Sequence, residues 1–112
     1  MRRFLLLIFL MAMPNVSCAS QVATEAKKIE NPEPYYPFEL VENNISGSVD
    51  IVFDIDKSGN PINCKAASFT NRGFIKSALD YCARQKYSPK LVKGIPEVDH
   101  ARTEKVRYAT AE

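Results

Sequence analysis

Between residues 46 and 56 the chain follows a period of two: Val49, Ile51, Phe53 and Ile55 fall on one face of an extended chain, Ser48, Asp50 and Asp54 on the other. A period of two predicts a strand buried on one side only. Residues 57–60, which include Gly59, turn the chain back, and residues 61–69 continue as a second strand with Ile62, Cys64 and Ala66 on one face, so the pair forms a hairpin. From Asn71, a residue suited to capping, the period changes. Phe74, Ile75, Ala78, Leu79 and Cys82 recur at spacings of three and four, which predicts a helix running to about residue 86, stopped by Pro89. After a loop containing Gly94 and Pro96, alternation returns over residues 102–110, with Val106 and Tyr108 opposite Lys105 and Arg107. Charge along one face near a chain end suits an edge strand, whose outer backbone groups are unpaired.

Upstream of the hairpin, Pro37 stands where the first turn of a helix tolerates proline, and a short helix is expected to start there. Residues 20–34 are polar, carry Pro32 and Pro34 and show no period, so they are expected to be a short linker or an ordered lead-in. The first residues differ again. Arg2 and Arg3 precede ten apolar residues at 4–13, then Pro14, Asn15 and the small residues Ser17, Cys18, Ala19 and Ser20. That layout is a secretory signal, and the apolar run is too short for a bilayer span of about 20 residues. The expected division is therefore a cleaved signal at 1–19, a linker at 20–34 and one domain at 35–112. Lipoprotein processing at Cys18 is the alternative, which would tether the protein to a membrane. The expected fold class is α+β: a three-stranded antiparallel sheet packed on one main helix, plus the short N-terminal helix.

Export changes how composition reads. The chain of 112 residues has 15 basic and 13 acidic side chains, but Arg2 and Arg3 belong to the signal, so the exported domain is balanced. A neutral domain offers no electrostatic ground for a nucleic-acid partner. Cys64 and Cys82 remain, and an exported pair reads first as a disulfide. Cys64 lies on the apolar face of its strand and Cys82 on the apolar stripe of the next helix, so both thiols point into one helix-on-sheet interface. The other reading is two free thiols packed as small hydrophobes.

Candidate chemistry is sparse. Asp54, Asp56, Ser58 and Gly59 match the start of a calcium loop, but its twelfth position is Lys65 and the flanks are strands, so no metal is expected. His100, the single histidine, sits among charged residues with no cysteine at ligand spacing. No phosphate loop, GxSxG elbow or HExxH pair occurs. The expectation is a non-enzyme without cofactor or small-molecule substrate.

The order of these pieces resembles the C-terminal domain of TonB, the periplasmic protein that energises outer-membrane transporters. The resemblance runs over residues 34–108: Tyr36-Pro37, a short helix, a glycine-led strand from Gly47 with its turn at Gly59, Ser68 before the second helix, Ala78-Leu79 within it, Tyr87-Ser88-Pro89 at its exit and Gly94-Ile95-Pro96 before the last strand. It departs from the family pattern at Gln85, where tryptophan is frequent. The resemblance implies a periplasmic module that binds an extended segment of an envelope protein, such as an outer-membrane transporter, by strand addition to its last strand. The implied contact residues are Arg102, Glu104, Lys105, Val106, Arg107 and Tyr108, with Lys105 and Arg107 selecting the partner. A homodimer is compatible with this reading, and an accessory envelope protein that keeps the fold without transporter coupling is the alternative.

Overall fold

The computed structural model describes residues 23–110; the expected signal at 1–19 and Cys18 lie outside them. In chain order the elements are β1 (Ala23–Thr24), β2 (Lys28–Glu30), α1 (Phe38–Glu42), β3 (Gly47–Ile55), β4 (Pro61–Phe69), a 3-10 turn (Arg72–Phe74) running into α2 (Ile75–Arg84), then β5 (Lys86–Tyr87), β6 (Lys90–Val92), β7 (Ile95–Glu97) and β8 (Asp99–Tyr108). The fold class is α+β, with β3 central between antiparallel neighbours in a three-stranded sheet of order β4-β3-β8.

The core is the period-two face of β3. Val49, Ile51, Phe53 and Ile55 are 3 % exposed or less, and burying each such side chain is worth about 1.5–3 kcal/mol of transfer free energy. Against this face the 3-10 turn lays Phe74, α2 lays Ala78 and Cys82, and β8 contributes Val106 and Tyr108. Asn71 starts the helical segment, its side-chain oxygen accepting from the Gly73 N–H at 2.8 Å. Cys64 and Cys82 form a disulfide with their Cα atoms 6.3 Å apart, which ties α2 to β4.

Aromatic rings close the end of the core beside α1. Phe74 and Tyr108 stack with centroids 4.4 Å apart, and Tyr36 meets both edge-on at 5.7 Å. Their polar tips are satisfied: Tyr36 donates to the Ile45 carbonyl, and Tyr108 donates to Ser77 Oγ, which in turn donates to the Tyr35 carbonyl.

Four expectations need correction. Ile62 does not share a face with Cys64 and Ala66. It pairs with Asp54 on the outer face and is 37 % exposed, because the register slips between Val52 and Asp54 beside Asn63, whose φ is +58°; a bulge reverses the parity of everything beyond it. The helix ends at Arg84, not near 86, because Gln85 is already extended and Lys86–Tyr87 pair with β2. The region around Gly94 is a hairpin and not an open loop: Lys93 and Gly94, both at positive φ, connect β6 to β7 as a two-residue turn requires. The last strand begins at Asp99, three residues before its alternation becomes regular.

Within the stretch expected as linker or lead-in, β1 pairs with β6 and β2 with β5. Strand pairing satisfies backbone groups whatever the side-chain pattern, so an aperiodic polar segment carries no signal for it.

Candidate functional site

The three-stranded sheet has two outer edges, and they differ. Along β4 the register breaks twice and Asn63 sits at positive φ, features that blunt an edge against further pairing. Along β8 the register is unbroken for seven pairs, from Gly47↔Tyr108 to Phe53↔Arg102. Its one irregularity lies beyond Arg102, where Ala101 has φ +57° and donates its N–H to Asp54 Oδ1 at 2.8 Å. Among the described residues no strand pairs with the other side of β8. Half of the residues along such an edge turn N–H and C=O outward, so this is a straight template about 20 Å long.

The six residues expected at this edge divide by strand parity. Val106 and Tyr108 face inward and are 4 % exposed, so they shape the edge from beneath and present little side-chain surface. Arg102 and Glu104 share that inward face and are held from below by the N-terminal segment. Arg102 Nη1 donates to Asp99 Oδ2 at 2.6 Å and to the Ala26 carbonyl at 3.1 Å. Lys28 Nζ donates to both Glu104 oxygens at 3.0 Å and to Tyr81 Oη at 3.1 Å, while Tyr81 donates to Glu104 Oε2 at 2.6 Å. This cluster straps the lead-in across the core side of β8. Burial, then the carboxylate of Glu104, push the Tyr81 phenol above its ordinary value of 10.

Lys105 and Arg107 point to the outer face, and they are not equivalent. Lys105 Nζ lies 2.8 Å from Asp50 Oδ1, and Ser68 Oγ donates to Asp50 Oδ2 at 2.6 Å, which makes a cross-strand row from β8 through β3 to β4. The lysine ammonium first, and Ser68 after it, hold the Asp50 carboxyl below its ordinary range. Arg107 joins no ion pair among the described residues. It lines a cavity of about 340 Å³ with Asn31, Pro32, Tyr36, Tyr81 and Tyr108, at the end of β8.

The other candidate chemistry serves local structure. Asp56 Oδ1 accepts the N–H groups of Ser58 and Asn60, both at 2.9 Å, so the calcium-like spacing builds the β3–β4 turn. His100 is 74 % exposed, 3.7 Å from Asp54 Oδ1. Among the described residues no group of three or more His, Cys, Asp or Glu is placed to hold a metal ion, and no helix is long and apolar enough to cross a membrane. Lys28, and Asn31 whose Oδ1 accepts from Tyr81 Oη at 3.2 Å, carry no sequence signal, because nothing marks a polar residue in an aperiodic stretch. Glu104 carried a usable signal: it stands two residues before buried Val106, on the core side, where a carboxylate needs a partner.

Comparison with known proteins bears on this geometry. Residues 32–109 match the family described as the C-terminal region of the Gram-negative bacterial TonB protein. The fold is similar to the solution structure of the Pseudomonas aeruginosa TonB C-terminal domain, with TM-score 0.64 at 21% identity over 80% of this chain and 90% of that one. It is also similar to the TonB2 protein of Vibrio anguillarum, with TM-score 0.60 at 25% identity over 79% of this chain and 84% of that one. No curated protein sequence matches the chain.

Proposed function

Because the chain belongs to the TonB C-terminal family, we propose that it is a protein-binding module of the bacterial envelope, not an enzyme, which receives an extended segment of its partner along the free edge of β8. The family is associated with TonB-dependent transport, so the partner is an envelope protein of that machinery, an outer-membrane transporter being the foremost candidate, and the compartment is the periplasm. The observation that carries the reading is the contrast between the sheet's edges: β8 keeps seven pairs in register with β3, whereas β4 is bulged. Added backbone hydrogen bonds supply affinity at such an edge, and alternate side chains set the register. The strap beneath β8 supports the same reading. With Glu104 and Arg102 anchored from below, the strand is held straight before a partner arrives, which lowers the ordering cost of binding.

Site-specific photo-crosslinking in living cells tests the proposal without disturbing the core. A benzoyl-phenylalanine replacing Thr103, Lys105 or Arg107 on β8 is expected to form adducts with an envelope protein identifiable by mass spectrometry. The same group replacing Asn63 or Lys65 on β4 is expected to form none. Adducts from β4 positions with none from β8 would sink the assignment.

A further inference from the structure

Strand addition alone does not say which segment binds, since backbone hydrogen bonds are indifferent to sequence. The charged residues of β8 do say something once their partners are counted. Arg102 is engaged by Asp99 and the Ala26 carbonyl, Glu104 by Lys28 and Tyr81, and Lys105 by Asp50. Recruiting any of these to a partner means breaking an existing pair, so each contributes little net preference. The Arg107 side chain is exposed and joins no ion pair or hydrogen bond among the described residues; it lies near enough to Asp50 to help lower that carboxyl, though less than Lys105 and Ser68 do.

Its position makes that availability useful. The cavity at the end of β8 is lined by three consecutive residues, Arg107, Tyr108 and Ala109. Successive side chains of a strand point to opposite faces, so a cavity touching all three opens on the strand's free edge and not on one face of the sheet. A strand added there passes over it. The walls are the Tyr36 and Tyr81 rings, Asn31 and Pro32, which supply hydroxyl and amide groups together with flat apolar surface. Glu33 is the other charged residue of the lining, and no ion pair joins it to Arg107. A planar guanidinium at the rim of a partly enclosed cavity is suited to bidentate contact with a carboxylate.

We infer that Arg107 reads a carboxylate on the incoming segment and thereby fixes the register at which that segment adds to β8. The inference rests on the strand-addition proposal. It corrects the equal weight that the sequence assigns to Lys105 and Arg107. Lys105 is part of the sheet's own cross-strand row, while Arg107 selects. The carboxylate is either an acidic side chain within the segment or the terminus of the partner chain.

The test uses the isotope-labelled protein and ten-residue probe peptides of alternating threonine and valine, followed by amide shifts of β8 in NMR titrations to millimolar concentration. Capped and amidated peptides carry one Asp, Asn or Lys at successive positions, and a further arm leaves the C-terminus as a free acid. With the wild type, the Asp peptide is expected to bind about three- to tenfold more tightly than the Asn peptide at one position only. Arg107→Gln removes that preference, Arg107→Glu turns it toward the Lys peptide, and Lys105→Gln leaves it intact. Glu33→Gln, which removes a competing anion from the lining, widens it. A gain confined to the free-acid arm, and lost in Arg107→Gln, supports the same inference with the chain terminus as the source. A preference that survives Arg107→Glu, or that follows Lys105, overturns it. If all three peptides shift β8 equally, strand addition stands and the role of Arg107 falls. If none shifts β8, strand addition itself fails and the inference falls with it.

Discussion

Reducing or deleting the Cys64–Cys82 disulfide should cost this domain a large share of its stability, and the size can be worked out. The two cysteines are 18 residues apart in sequence. In the chain-entropy description, removing a cross-link over a loop of that length destabilises by about 3 kcal/mol, against a total of about 5–15 kcal/mol for a small domain. Cys82 is fully buried, so truncating it to alanine adds a void worth about 1 kcal/mol. At about 4–8 °C per kcal/mol for a domain of this size, the loss of the bond alone lowers Tm by about 12–24 °C. The mutants also have a signature beyond magnitude. Cys64→Ala and Cys82→Ala each abolish the whole bond, so the two singles lose about 3 and about 4 kcal/mol, while the double variant loses about 4 and not about 7. Urea unfolding of the wild type, both singles and the double, followed by circular dichroism with and without reductant, reads all of these quantities. Additive single losses, or a wild type whose Tm moves by less than about 4 °C on full reduction, would refute the argument that the bond acts by constraining the unfolded chain.

Two glycines at positive φ should respond unequally to alanine. At Gly59, φ +91°, an added Cβ would lie 2.0 Å from the Tyr87 carbonyl oxygen, whereas at Gly94, φ +81°, it would meet nothing within 4 Å. Gly59→Ala should therefore cost more than about 3 kcal/mol or prevent folding, and Gly94→Ala about 1 kcal/mol; comparable urea midpoints for the two variants would contradict this. Alkaline pH gives another check. Burial foremost raises the phenol pKa values of Tyr81, Tyr87 and Tyr108, so the folded state holds these protons more tightly than the unfolded chain. The stability they lend is complete below the ordinary value of about 10 and is lost as pH rises through the folded values. Tm should fall above pH 10, with phenolate absorbance at 295 nm delayed in the native protein relative to the urea-unfolded one. Coincident titrations would count against it.

How much of this was legible in the chain depends on whether a residue's setting follows from its neighbours in sequence. Val49, Ile51, Phe53 and Ile55 declare their face by period alone, and the structure buries all four. Phe74, Ala78 and Cys82 do so at helical spacing, which is why the disulfide could be placed from two periodic elements. Ile62 does not declare its face in this way. Its parity depends on an unsignalled bulge at Asn63. Gln85 is another case: a polar side chain at 2 % exposure, its amide nitrogen donating to the Tyr81 and Pro32 carbonyls while its oxygen has no partner among the described residues. Its burial comes from the lead-in folding over it, a contact between segments more than 50 residues apart.

The candidate site lies on the harder side of that division. That the last strand is an edge could be read from its charge, because an edge that must stay soluble carries charge. Which charges are free to select a partner could not, because availability is settled by pairing across the sheet and across the strap. Lys105 and Arg107 look alike in sequence, and Asp50 on the neighbouring strand separates them. Glu104 looks like a surface carboxylate, and Lys28, 76 residues away, makes it a strut. An edge strand with every charge available would bind acidic and basic segments alike, with little to fix the register. With its other charges paired within its own fold, this strand leaves a single unpaired charge among the described residues, at one end, and under the proposed strand addition a single off-centre charge would define one register along an otherwise repetitive row of backbone hydrogen bonds.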